Sequence, residues 1–328
     1  GEGYVMTWFQ RLLLVTIAAT FILVVIGGTV RATGSGLGCP DWPTCHGKLI
    51  PSGDKHTLIE FSHRTAAAVV GFLFLGVTFF TFKTERRNRL VFWLAFVAGV
   101  LLVVQIGLGG VTVKTELPSE IVAAHLGTAM IFTGVMIVTA TISLMRGRKY
   151  EAFAFASDTT FNRLAMLTAA TAFVTLVLGS YISGTDAALA CGGWPLCNGS
   201  LTPGLLGDSS SGGSAVGLHF LHRLVAGILG IMTLALIYQA FEERRRQPLL
   251  VWLSVAAGVL YVAQALVGAA NIWTGLAAGV IVAHLSLAAL LWCILVAISA
   301  LAFYLPGEGA GDVDERSTQR GKAAEWAR

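Results

Sequence analysis

Eight predominantly apolar runs succeed one another along the chain, near residues 12–30, 63–82, 90–113, 121–145, 162–183, 219–241, 249–270 and 276–304. Charged or Gly- and Pro-rich intervals separate them. An α-helix advances about 1.5 Å per residue and the hydrocarbon core of a bilayer is about 30 Å thick, so runs of this length are predicted to span a membrane as helices. The first run has the position of a secretory signal, but it lacks an Ala-x-Ala cleavage pattern and aligns with the fifth run. The expectation is therefore that it is retained.

The second half of the chain repeats the first. An offset of 152 carries Arg11 to Arg163, Cys39 to Cys191, Trp42 to Trp194, Pro43 to Pro195, Cys45 to Cys197, Gly47 to Gly199 and Pro51 to Pro203. An offset of 159 then carries His63 to His222, Arg64 to Arg223, Trp93 to Trp252, Gln105 to Gln264, Gly109 to Gly268 and His125 to His284. The difference of seven residues falls in a Gly/Ser-rich loop near 207–214. A match at so many unusual positions is a strong repeat signal. The fold expected is an all-α integral membrane protein of eight transmembrane helices, arranged as two tandem four-helix bundles. Each unit crosses an even number of times, so the copies share an orientation and a pseudo-two-fold axis along the membrane normal. The units are expected at 1–145 and 162–304, joined by a cytoplasmic linker at 146–161 and followed by a disordered cytoplasmic tail at 305–328.

Composition agrees with a bilayer as solvent. Of 328 residues, 55% are hydrophobic and 12% charged, and mean hydropathy is +0.75; membrane lipid is thus a partner. The net charge of +4 is spread in short clusters between apolar runs, which implies no nucleic acid. Those clusters instead give an orientation. The connections at 83–89, 146–150 and 242–247 carry ten basic residues, whereas the alternate loops carry four: Arg31, Lys48, Lys55 and Lys114. The positive-inside rule places the first set and both termini in the cytoplasm, with the cysteine-bearing loops on the outer face.

Four histidines need an explanation at this depth. His63 and His222 each open an apolar run, and His125 and His284 follow 62 residues later. A single intramembrane histidine serves equally well as a hydrogen bonder between helices, but two repeated pairs favour function. Each pair is expected near the outer ends of the second and fourth helices of its unit, facing across the bundle. Zinc wants further N, S or O ligands, whereas haem brings its own four nitrogens and needs only two axial imidazoles. One haem per unit is therefore expected, without covalent attachment, since no Cys-x-x-Cys-His occurs. Arg64 and Arg223 are candidates for propionate contacts, or equally for snorkelling to headgroups.

The units differ at one telling position. Glu60 stands three residues before His63 where His219 stands before His222, on the same helix face as the ligand candidate. It is a candidate to relay a proton or orient a water, or else a solvated carboxylate at a helix start. His219 is a candidate extra polar contact at the other haem. Cys39 with Cys45 and Cys191 with Cys197 read most simply as outer-loop disulfides, with a redox-active dithiol or a bridging zinc site as alternatives. Cys293 has no repeat counterpart and is expected to pack as a small apolar residue.

Taken together, Glu-x-x-His-Arg at 60–64, His125, His222-Arg223, His284 and two Cys-x5-Cys loops in a duplicated eight-helix chain resemble the haem A synthase family, from about 10 to 304. The resemblance implies oxidation of the C8 methyl group of haem O to a formyl group, making the haem A of terminal oxidases. It implies that His63 and His125 ligate the substrate haem O, that Glu60 is the catalytic carboxylate, and that His222 and His284 ligate the iron of a haem b cofactor that handles electrons. It also implies the bacterial cytoplasmic membrane, a quinol or other membrane electron donor, and a haem O synthase or a second copy of the chain as candidate partners. The competing readings are a non-catalytic di-haem b-type quinol or electron-transfer protein, and a transporter with parallel repeats.

Overall fold

The computed structural model describes residues 5–51, 53–146, 159–201, 213–245 and 247–303. The tail at 305–328, most of the linker and most of the insertion near 207–214 lie outside the described residues. Eight long helices follow in order: α1 (Trp8–Ala32), α2 (Lys55–Phe80), α3 (Arg89–Lys114), α4 (Ser119–Arg146), α5 (Thr160–Ile182), α6 (Gly213–Glu243), α7 (Pro248–Trp273) and α8 (Ala278–Ala302). All eight are long and apolar enough to cross a membrane. A π turn, Thr81–Glu85, prolongs α2, and a 3₁₀ turn, Asp186–Leu189, follows α5.

Helix starts are set by capping groups that lie outside the apolar runs. The Thr7 hydroxyl accepts from the N–H of Gln10 while the Gln10 amide oxygen accepts from the N–H of Thr7, and Asp54, Asn88 and Thr159 cap α2, α3 and α5 in turn. Pro248 opens α7, where its missing N–H is not needed. The Asp54 cap begins α2 about two turns before the apolar run. Glu60 consequently lies inside the helix, and it is buried, which removes the reading of it as a solvated carboxylate at a helix start.

These helices are apolar on nearly every side. Phe72, Val103, Ile231 and Trp252 all point outward, as expected of surfaces that meet lipid. Buried hydroxyls are satisfied within their own helices: those of Thr16, Thr20, Thr139 and Thr168 each donate to the carbonyl one turn earlier.

Neighbours in sequence pack as antiparallel pairs, α1 with α2, α3 with α4, α5 with α6 and α7 with α8. In the centre, α1 meets α4 and α8, α5 meets α4 and α8, and α4 meets α8. Exchanging the first four helices for the second four maps the α1–α8 contact onto the α5–α4 contact and leaves α4–α8 in place. That is the pattern of a two-fold exchange. Helices α2, α3, α6 and α7 stand on the outside.

Small residues allow the central approach. A Cβ on Gly134 of α4 would stand 2.6 Å from the Trp292 ring of α8, and one on Gly28 of α1 would stand 2.7 Å from Leu285. At the opposite end from the cysteine loops, Arg244 is fully buried and so does not act as the loop cation its position in sequence implies. Its guanidinium donates to Asn162 Oδ1 at 2.6 Å and Thr159 Oγ1 at 3.3 Å, and its carbon lies 5.3 Å from the Phe161 ring centroid. It ties α6 to the start of α5.

Filling the α4–α8 contact is expected to be felt globally. Gly134→Leu should lower stability by about 1–3 kcal/mol through overpacking against Trp292, read as an earlier thermal transition of the detergent-solubilised protein; an unchanged transition would mean that the two helices do not meet there.

Candidate functional site

Each histidine of the two pairs lies against a glycine of the helix with which its own helix is paired. A Cβ on Gly27 (α1) would stand 3.1 Å from Cε1 of His63 (α2), and one on Gly109 (α3) would stand 3.3 Å from Cε1 of His125 (α4). The second unit repeats this with Gly179 against His222 and Gly268 against His284, both at 3.0 Å. Any side chain there would have to displace the imidazole. The Gln105 amide nitrogen stands 3.3 Å from Nε2 of His125, and that of Gln264 stands 3.4 Å from Nε2 of His284.

The four imidazoles share a further property. Nδ1 of His63, His125, His222 and His284 is buried and makes no hydrogen bond of good geometry, although main-chain groups of Thr175 and Gln264 stand within reach of the His222 and His284 rings. An imidazole oriented through one ring nitrogen keeps the other for an acceptor or a metal. Within each unit the two rings lie in electrostatic reach of one another. Among the described residues no three His, Cys, Asp or Glu side chains converge as a metal site. Two imidazoles per unit, on α2 and α4 or on α6 and α8, suit a group that brings its own equatorial ligands, as haem does.

Above each pair sits a cysteine loop. Cys39 is bonded to Cys45 and Cys191 to Cys197, with Cα atoms 4.7 and 4.6 Å apart. A zinc site built from four thiolates is thereby overturned. His46 and Asn198, equivalent residues with φ of 51° and 52°, each bond a backbone carbonyl at the loop's start: His46 Nε2 lies 3.1 Å from Gly38 O, and Asn198 Nδ2 donates to Ala190 O at 3.0 Å.

The arginines hold these loops down. Nη1 of Arg64 donates to Asp41 O and Thr44 O, and Nη2 donates to Cys39 O, all at 2.7 Å. Its Nε donates to Glu60 Oε1 at 2.9 Å. Arg223 repeats two of these contacts, with Leu196 O and Cys191 O at 3.1 Å, and reaches Pro195 O at 3.5 Å. A guanidinium has five N–H donors, so Arg64 keeps one on Nη2 for any other acceptor. Glu60 is thus both buried and paired with the arginine next to the first histidine. His219 takes a different path, its Nδ1 lying 2.9 Å from the carbonyl of Ala187 in the 3₁₀ turn. Cys293 is partly buried and unbonded, as expected of a packing residue.

With this geometry in place, likeness to known proteins is informative. The sequence profile of the COX15-CtaA family, described as a cytochrome oxidase assembly protein, matches residues 10–296. The chain belongs to the COX15-CtaA family. Among its relatives, the heme A synthase of Alkalihalophilus pseudofirmus is 29% identical over 283 residues, 86% of this chain and 93% of the relative. The heme A synthase of Symbiobacterium thermophilum is 31% identical over 243 residues, covering 71% and 75%. That of Shewanella oneidensis is 29% identical over 332 residues, covering 90% and 96%. The match to the family spans both units, both cysteine loops and all four histidines, and the chain is an integral membrane protein with eight spans.

The first cysteine loop has its own internal staple. The Asp41 carboxylate accepts from the Thr44 hydroxyl and the Gly47 N–H at 2.7 Å and from the His46 N–H at 2.6 Å. The Thr44 bond foremost, then Gly47 and His46, hold this carboxyl well below the usual carboxylate range. A depressed carboxylate stabilises the fold fully above its unfolded pKa of about 3.9, and the contribution is lost as pH falls through the lower folded value. Amide protection at His46 and Gly47 should therefore persist from neutral pH down to about pH 4, and Asp41→Asn should weaken it throughout; loss already at pH 5 would contradict the staple.

The arginine clamps give a second expectation. Arg64→Gln should speed amide exchange across 38–48 and leave 190–200 protected, while Arg223→Gln does the reverse. Equal loosening of both loops by either substitution would show that the clamps are not local.

Proposed function

We propose that this chain is a haem A synthase, an oxidoreductase that converts the C8 methyl group of haem O to a formyl group in two successive hydroxylations. The carbon passes through an alcohol and then a hydrated aldehyde that loses water. The observation that carries the division of labour is Glu60: both units hold a histidine pair beneath a clamped disulfide loop, but among the described residues only the first unit places a carboxylate three residues before its first histidine. An oxidised substrate needs a group that a mere electron carrier does not.

In this reading His63 and His125 hold the substrate haem O, and His222 and His284 hold a resident haem b. When bound there, haem b supplies one-electron redox chemistry. The protein contributes position and dryness. Glycine-backed imidazoles fix the ring planes, and the disulfide loops cover the outer mouths of the two bundles. Glu60 is the acid–base residue at the substrate, with Arg64 holding its carboxylate in place. Arg64 and Arg223 act mainly as loop clamps, and what remains of their N–H groups is available to propionates. His219, spent on Ala187 O, positions the second loop.

The orientation proposed is cytoplasmic for both termini and outer for the cysteine loops, in a bacterial cytoplasmic membrane, with the two units related by an axis along the membrane normal. A quinol or other membrane donor, a haem O synthase and a second copy of the chain are the partners proposed.

The test is haem extraction from membranes that contain the chain and a source of haem O. Hydroxymethyl and formyl haems are expected; their absence from protein fully loaded with haem b would leave a di-haem electron carrier. Glu60→Gln is the informative variant, because an amide oxygen still accepts from Arg64 Nε while the ionisable group is gone. It should keep the haem b spectrum and lose about 10²-fold or more of haem A output, and normal output would remove Glu60 from the mechanism. Either His222→Ala or His284→Ala should disturb the haem b spectrum itself.

A further inference from the structure

The two units differ at a second place, which no likeness in sequence explains. Within each unit the helices form two tight pairs, and the pairs meet along two seams. One seam, α1–α4 or α5–α8, faces the centre of the molecule; the other, α2–α3 or α6–α7, faces away from the partner unit. In the second unit the outward seam is closed. Tyr261 of α7 reaches across it and donates its hydroxyl to Ala226 O of α6 at 2.9 Å. Its ring and hydroxyl cover Gly230, where an added Cβ would collide with them, and Gly230 is buried.

The first unit lacks this tyrosine closure, and its seam is instead packed one turn deeper, where Phe74 of α2 lies over Gly99 of α3. The offset of 159 places Leu102 at the position of Tyr261, Ala67 at that of Ala226 and Gly71 at that of Gly230. Leucine has no hydroxyl to bond across. Nothing lies within 4 Å of a Cβ on Gly71, and Ala67 is exposed. Tyr261 and Leu102 stand one helical turn from Gln264 and Gln105, the residues that meet His284 and His125. The level of the seam marked by Gly71 and Leu102 therefore lies one turn from the residue that meets His125.

Haem O differs from haem b chiefly in a long isoprenoid chain on one pyrrole edge. Such a chain is too long for a packed four-helix interior and is soluble in lipid. Resting on the reading above, we propose that the open α2–α3 seam passes the isoprenoid chain of haem O from the chamber into lipid. Tyr261 closes the matching α6–α7 seam and reserves the second unit for a haem without that chain. Leu102, Gly71 and Tyr261 are then specificity-determining residues that touch no reacting atom. The discrimination is steric and needs no change in the ligands themselves.

The experiment exchanges the two positions and counts haems. Leu102→Tyr, and independently Gly71→Leu, should lower the haem O plus haem A recovered per haem b by about tenfold, with the Soret spectrum of haem b unchanged as the control for folding. Tyr261→Leu in a His63→Ala background, where the first unit lacks a ligand, should recover haem O where His63→Ala alone recovers only haem b. Wild-type haem ratios in both seam-filling variants, or haem b alone in the double variant, would overturn the proposal. Failure of the unsubstituted protein to make any haem A would instead sink the synthase reading.

Discussion

The contact on which this structure depends is that of an imidazole against a bare glycine backbone. It occurs once in every antiparallel pair: His63 on Gly27, His125 on Gly109, His222 on Gly179 and His284 on Gly268. A side chain at the glycine would force the two helices apart or push the ring from its place, so the spacing of all four pairs is tied to the site they carry. Lipid offers no hydrophobic drive for helices to associate, and close packing at small residues has to supply it. The residues that build the candidate site are therefore also those that assemble the helices. What is left free is how one pair meets the next, and it is at those seams that the two units have diverged.

A second economy lies in the arginine that follows each first histidine. A guanidinium drawn partly out of water needs acceptors for its donors, and the carbonyls of a short disulfide loop provide them in both units. The loop is thus fastened to the helix one residue from the imidazole. In the first unit Glu60 joins this network through Nε of Arg64, which gives a carboxylate a fixed orientation inside an apolar bundle. In the second unit His219 turns instead to a loop carbonyl. The same scaffold thereby holds a carboxylate one helical turn before the first histidine of one pair and an imidazole at the equivalent place in the other.

Much of this was legible in the sequence, and the misses have physical reasons. The apolar runs identified all eight helices because each had to be apolar on every lipid-facing side, yet they placed the starts of α2 and α6 too late, since capping by Asp54 and the polar turns before the runs carry no hydropathy signal. The repeat register paired Gly109 with Gly268 and Gln105 with Gln264 without showing why; their purpose is a contact between helices, visible only when His125 and His284 are packed against them. In the sequence Arg64 and Arg223 are candidates for propionate contacts or for snorkelling to headgroups, and the loop carbonyls that take most of their donors are not legible because they lie some twenty to thirty residues away. Arg244 looked like a loop charge because its burial is decided by Asn162 and Phe161, on another helix.

Duplication makes the asymmetry readable. On the reading proposed, two copies of one bundle with the same ligands in the same register would bind the same haem, and an enzyme holding a substrate haem in one and a cofactor haem in the other would have to tell them apart. Ligand chemistry cannot do this, because both pairs are histidines backed by glycines. The difference has to lie where the two molecules differ, at the edge of the macrocycle, and hence in the wall of the chamber. The wall beside α1 and α4, or α5 and α8, is constrained by the contact between units, and any change there is felt by both. The outward seams alone are free to change independently, and they are where a tyrosine stands in one unit and a leucine in the other.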